Sequence, residues 1–123
     1  MSKNYVAPYV NLQGRAREAI EFYRDVLGGT VKVDEEDGRV SLAQLDAEGI
    51  VLFATDGHPK FAPTVGDNMA IVLGGSDKDR LTEAFQALSE GGRVKGPLSR
   101  HGGGPEVGYL LDRFGINWIV RIG

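Results

Sequence analysis

The chain carries two histidines, His58 and His101, and no cysteine, so nucleophilic, acid–base or metal chemistry would have to come from imidazoles, carboxylates and hydroxyls. The absence of cysteine removes thiolate metal sites, a cysteine nucleophile and any disulfide framework. Each histidine has a carboxylate nearby in sequence, Asp56 for His58 and Glu106 for His101. Imidazole titrates near neutrality and ligates metals, so His101 with Glu106 forms the candidate catalytic pair. The plainer reading of both histidines is solvated loop side chains, because glycine and proline surround them. Gly102, Gly103 and Gly104 could offer backbone N–H groups to an anion. Phosphate-loop fingerprints, however, need a helix after the glycines, and no helical pattern follows. Arg100, Asp112 and Arg113 read as a solvated charge cluster.

A second constellation follows from alternation, since successive side chains of a strand face opposite sides of the sheet. If Val6, Pro8, Val10 and Leu12 pack against helices, then Ala7, Tyr9 and Asn11 face the other way. On the last strand Trp118 and Val120 go with the helices, and Asn117, Ile119 and Arg121 with the open side. Tyr9, Asn11, Asn117 and Arg121, joined by Gln44, then line a partly apolar cavity. The planar donor fork of Arg121 suits a carboxylate or phosphate, and would serve equally well in an ion pair across a subunit seam.

Short elements must position these residues. Tyr5 to Leu12 alternates as a strand, interrupted at Pro8, which has no N–H for the ladder. Ala16, Ala19, Ile20, Tyr23 and Leu27 recur at helical spacing, and Gly28-Gly29 ends that helix. Strands follow at Thr30–Asp34, at Val40–Leu45 after the Asp37-Gly38 turn, and at Ile50–Thr55. The stretch 57–67 is a connector broken by Pro59, Pro63 and Gly66. The pattern then restarts with a strand at 69–73, a helix capped by Ser76-Asp77 with Leu81, Ala84, Phe85 and Leu88 on one stripe, and Gly91-Gly92. Strands at 93–98, 108–112 and 117–121 complete it. Phe22, Gly28, Gly29 and Val31 recur as Phe85, Gly91, Gly92 and Val94, each 63 positions on (85−22 for the first pair). Two copies of a strand–helix–three-strand unit are therefore expected, repeat one over about 5–56 and repeat two over about 68–122, within a single domain of class α+β. Phe22, Tyr23, Phe85 and Trp118 belong to the core on this reading.

Composition excludes much else. With 123 residues, 41% of them hydrophobic and 25% charged, the chain has the makeup of one globular domain able to form its own core. A formal charge of −3 is the wrong sign for a sequence-independent phosphate binder, so nucleic acid is not an expected partner. No apolar run approaches the roughly 18 residues of a membrane span, and the expected location is cytoplasmic. Eighteen glycines, about twice the usual ~7%, fit many tight turns between short elements.

Pro8-Tyr9-Val-Asn-Leu-Gln-Gly14, Ala19-Ile-Glu-Phe-Tyr23 and Leu27-Gly-Gly-Thr-Val31 resemble the opening of PhnB-like proteins in the glyoxalase/bleomycin-resistance/dioxygenase (vicinal oxygen chelate) superfamily. Leu88-Ser-Glu-Gly-Gly-Arg-Val94 and Asp112-Arg-Phe-Gly-Ile-Asn-Trp118 resemble its second-half signatures, so the likeness covers nearly the whole chain. The resemblance implies two βαβββ modules forming a curved mixed-sheet cup, a homodimer, and, in metal-using relatives, one cation held by His and Glu side chains. Carried over, those ligand positions fall near Ala7 or Pro8, at Ala70 or Ile71, at Ile119, and at about Val51 or Leu52. Alkyl groups offer a cation no lone pair, so no metal and no other cofactor is expected. Relatives also carry a loop over the cup, often with Trp-Gly-Asp, where this chain has Arg100 to Glu106 and three glycines.

The reading that leads is a metal-independent protein that binds a small molecule, with an anionic ligand suggested by Arg121. The alternative is a glyoxalase-like lyase or isomerase with a non-standard metal or acid–base site. A methyltransferase, a name some relatives carry, would need a glycine-rich strand–turn–helix for the methyl donor that this sequence lacks.

Overall fold

A computed structural model describes residues 4–100 and 102–123; His101 lies outside the described residues. The chain forms β1 (Tyr9–Asn11), α1 (Ala16–Leu27), β2 (Thr30–Glu36), β3 (Arg39–Ala47) and β4 (Ile50–Thr55). It continues with β5 (Ile71–Gly75), α2 (Lys78–Ser89), β6 (Arg93–Arg100), β7 (Glu106–Leu111) and β8 (Asn117–Ile122). Two compact units result, residues 1–64 and 65–123. Each is a βαβββ unit with one four-stranded mixed sheet, ordered β1-β4-β3-β2 in the first and β5-β8-β7-β6 in the second. The duplication expected from the repeated glycine pairs is thus a duplication of topology.

In the first unit α1 buries Ala16, Ala19, Ile20, Tyr23 and Leu27 against Ala43 and Leu45 of β3 and Leu52 and Ala54 of β4. The helix has no side-chain cap of its own at Arg15. Instead Asp56, just beyond β4, accepts the Ala16 N–H through Oδ1 at 2.9 Å and the Val40 N–H through Oδ2 at 2.7 Å. One carboxylate satisfies an orphan helix donor, meets the positive end of the helix dipole and ties α1 to β3. The β2–β3 hairpin turns at Asp37-Gly38, both with positive φ (54° and 77°), so pairing extends to Glu36↔Arg39 and β2 outruns its apolar alternation.

In the second unit α2 is capped by the Asp77 side chain, which accepts the Arg80 N–H, and buries Leu81, Ala84, Phe85 and Leu88. Leu110, Trp118, Val120 and Ile122 are buried from the sheet side. Gly108 is glycine because of this packing: a Cβ there would lie 2.6 Å from the Phe85 ring.

Two expectations need correction. The first strand covers only Tyr9–Asn11, and Val6 is fully exposed instead of packing on a helix. Pairing starts where Pro8, lacking a donor, still offers its carbonyl to the Phe53 N–H at 3.0 Å. Asp112 is not a solvated charge; it is 2% exposed and organises the β7–β8 turn. Its Oδ1 accepts the N–H groups of Phe114 and Ile116, and its Oδ2 accepts the indole N–H of Trp118 at 2.9 Å. Among the described residues no helix is long and apolar enough to cross a membrane.

Candidate functional site

Sheet pairing decides which side chains share the face turned away from each helix. In the second unit Tyr109 pairs with Ile119 and Ile119 with Val72, while their neighbours Leu110, Trp118 and Ile71 point to the α2 side. Asn117, Ile119 and Arg121 therefore lie on the open face, as alternation along β8 requires. A cleft of about 530 Å³ opens at the Asn117 end of this face, lined among others by Met69, Ala70, Lys95, Tyr109, Asn117 and Ile119. Its lining is mostly apolar, with a few polar groups: Asp67 and Asn68 ahead of β5, and Lys95 with Asn117 on the sheet. That combination is the usual makeup of a small-molecule site.

Lys95 reaches the cleft through an irregularity in its strand. Val94 pairs with Leu110 and Gly96 with Tyr109, so Lys95 is an extra residue on β6, a β-bulge. The bulge lets its ammonium cross β7 and donate to Asn117 Oδ1 on β8 at 3.1 Å. Gly96 serves the same corner, since a Cβ there would meet the Tyr109 ring at 3.1 Å. Tyr109 lines the cleft together with Lys95, and the residue is 47% exposed. Met69 is exposed as well.

The positions onto which the resemblance carries metal ligands hold hydrocarbon, and two of them, Ala70 and Ile119, line this cleft. Tyr9 pairs with Phe53 as Val72 pairs with Ile119, so the first-module counterpart of Ile119 is Phe53. The expected Val51 or Leu52 is displaced because Leu52 lies on the α1 side, buried. Methyl, sec-butyl and phenyl groups supply no lone pair, so these residues do not fit a cation. Among the described residues no group of three or more His, Cys, Asp or Glu side chains could hold a metal ion.

The other singled-out residues are described unit by unit. Tyr9, Asn11 and Gln44 sit on the open face of the first sheet, where Gln44 Nε2 donates to Asp46 Oδ2 at 2.8 Å. Asn11 Oδ1 accepts the Gln13 N–H at 3.1 Å, and its amide group lies against Gly57. Asn117 lines the second-unit cleft, whereas Arg121 is exposed farther along the same face, its side chain starting beside Gly74. Glu106 pairs with Ile122 and so points to the α2 side, where its Oε1 lies 3.1 Å from Lys78 Nζ. His58 closes a local turn: its Nδ1 accepts the Lys60 N–H at 3.0 Å and its ring lies 5.0 Å from that of Phe61. The neighbouring Asp56 is committed to the helix α1 terminus.

Lys95, Tyr109 and Met69 did not emerge from the sequence as site residues. For Lys95 a signal existed, because the 63-residue repeat (95−32) sets it against Lys32. Lys32 pairs in regular register with Gln44, so the repeat alone does not disclose that only the second lysine is displaced by a bulge.

A family model described as the Glyoxalase/Bleomycin resistance protein/Dioxygenase superfamily matches residues 8–120. Among solved structures, protein PA1353 from Pseudomonas aeruginosa is similar at 29% identity, over 98% of each chain, with a TM-score of 0.88. A PhnB protein from Bacillus cereus, described as a putative 3-demethylubiquinone-9 3-methyltransferase, is 19% identical over 98% of this chain and 100% of its own, with a TM-score of 0.81. TioX from Micromonospora sp. ML1 is 17% identical over 98% of each chain, with a TM-score of 0.68. The latter two likenesses are likenesses of fold. No functionally curated protein matches the sequence.

Proposed function

From the premise that the chain belongs to the Glyoxalase/Bleomycin resistance protein/Dioxygenase superfamily, we propose that it is a metal-independent small-molecule-binding protein whose ligand occupies the cleft of the second unit. One observation carries this reading: Ala70 and Ile119, at positions where a cation would need donors, instead form apolar wall of a cleft of about 530 Å³. A volume in the 300–1,000 Å³ range suits an organic molecule of moderate size. Burying apolar ligand surface there supplies affinity at roughly 25 cal/mol per Å², and the few polar groups fix orientation.

The test combines elemental analysis with a binding screen. Protein dialysed against buffer is expected to hold no stoichiometric Ni, Zn or Fe, and a library of small aromatic and aliphatic compounds is expected to contain members that raise the melting temperature equally with and without chelator. Ligand-induced stabilisation follows mass action, so a hundred-fold excess over Kd adds about 2.7 kcal/mol. A stoichiometric metal, or shifts abolished by chelator, would overturn the reading in favour of a glyoxalase-like lyase or isomerase.

A further inference from the structure

We infer that the ligand class of this cleft is an aromatic monocarboxylate, with Lys95 and Asn117 holding the carboxylate and Tyr109 and Ile119 flanking the ring; the inference rests on the binding reading above. Lys95 stands on a bulge, and such irregularities re-aim a side chain away from the regular pleat. Its new aim is into the cleft, onto the carbonyl oxygen of a neutral amide, Asn117 Oδ1 at 3.1 Å. No carboxylate of the described residues lies within ion-pair distance of Lys95, in contrast to Lys78, which faces Glu106. An ammonium has three donors and the amide bond uses one. Because Asn117 accepts through Oδ1, its Nδ2 donors remain beside the same ammonium. A single carboxylate can therefore take one N–H from Lys95 and another from Asn117.

The remaining chemistry narrows the class. The Tyr109 ring packs against Gly96, and Ile119 is its cross-strand partner, so the cleft that holds the ammonium is walled by an aromatic ring and a branched alkyl group. Flat apolar bodies fill such a gap better than flexible polar ones. Asp67 also lines the cleft, and its negative charge disfavours a second anionic group, which separates monocarboxylates from phosphates and dicarboxylates. A lysine, as a compact point charge, suits one carboxylate, whereas Arg121 lies farther along the face.

The probes are 2-naphthoate and its neutral isostere 2-naphthamide, titrated against the whole chain with binding read by calorimetry. The wild type is expected to bind the acid about ten-fold more tightly than the amide, the size of effect one charge-assisted hydrogen bond gives. Lys95→Met keeps most of the stem and loses the charge; it is expected to weaken the acid about ten-fold more than the amide and so erase the preference. Lys95→Arg is expected to retain the preference. Equal affinity for acid and amide in the wild type, or an unchanged preference in Lys95→Met, overturns the carboxylate anchor and leaves the binding reading standing. Binding of neither probe, alongside library compounds that do bind, overturns the aromatic class alone. Binding of no compound at all overturns both.

Discussion

Replacing Asp112 with alanine isolates the contribution of one buried carboxylate. Its two oxygens accept the Phe114 and Ile116 N–H groups at 2.8 and 3.0 Å and the Trp118 indole N–H at 2.9 Å. The indole donor is buried, so leaving it unpaired costs close to the full desolvation penalty, about 2 kcal/mol. The two backbone donors are only part-buried and water can reach them, which limits each loss to about 0.5 kcal/mol. The variant should therefore lose about 3 kcal/mol, roughly a hundred-fold in the folding equilibrium. Domains of this size have about 5–15 kcal/mol to lose, so the variant stays measurable. Urea unfolding followed by circular dichroism gives the value. In a Trp118→Phe background, where the indole donor is gone, Asp112→Ala should cost at least about 1 kcal/mol less. A loss below about 1 kcal/mol, or the same loss in both backgrounds, would refute the assignment of Asp112 to the indole and the turn.

Gly108→Ala should destabilise by about 1–3 kcal/mol in the same assay, because the added Cβ would sit 2.6 Å from the Phe85 ring inside a filled core. Asp56→Ala should cost about 1–2 kcal/mol, since it strips the acceptor from both the Ala16 and Val40 N–H groups. Asp77→Ala, which removes an exposed cap from α2, should cost less than Asp56→Ala, and the reverse order would contradict the role given to Asp56.

Much of the fold could be read in the sequence because local rules and tertiary packing agree. Ala16, Ala19, Ile20, Tyr23 and Leu27 have one face to bury and do so; β4 begins and ends where the apolar run Ile50–Thr55 does. Disagreement arose where a single polar atom or a register decides. Asp112 looks like any loop acid until Trp118, six residues away, is folded back to share its carboxylate. Sequence spacing does not report that strand parity turns Glu106 to the α2 side, towards Lys78. Alternation along β8 places Asn117 on the open face, whereas Lys95 reaches the cleft through a bulge that no periodicity announces. Arg121 shares the open face with Asn117 and Ile119 but lies beyond the lining of this cleft, a distance along β8 that alternation does not report.

The bulge at Lys95 also bears on the open margin of β6. Strand β6 ends its sheet, and one of its margins has no neighbour within that sheet. Such a margin is a template for a further strand from another chain, and regular hydrogen-bonding groups in a row make it a hazard. Here the row is broken twice, at 94/96 and again before Ser99, and Pro97 withholds one N–H besides. Arg93 and Arg100, exposed at the two ends of the strand, add like charges. The irregularity that delivers an ammonium to the cleft thus helps deny β6 to an incoming strand.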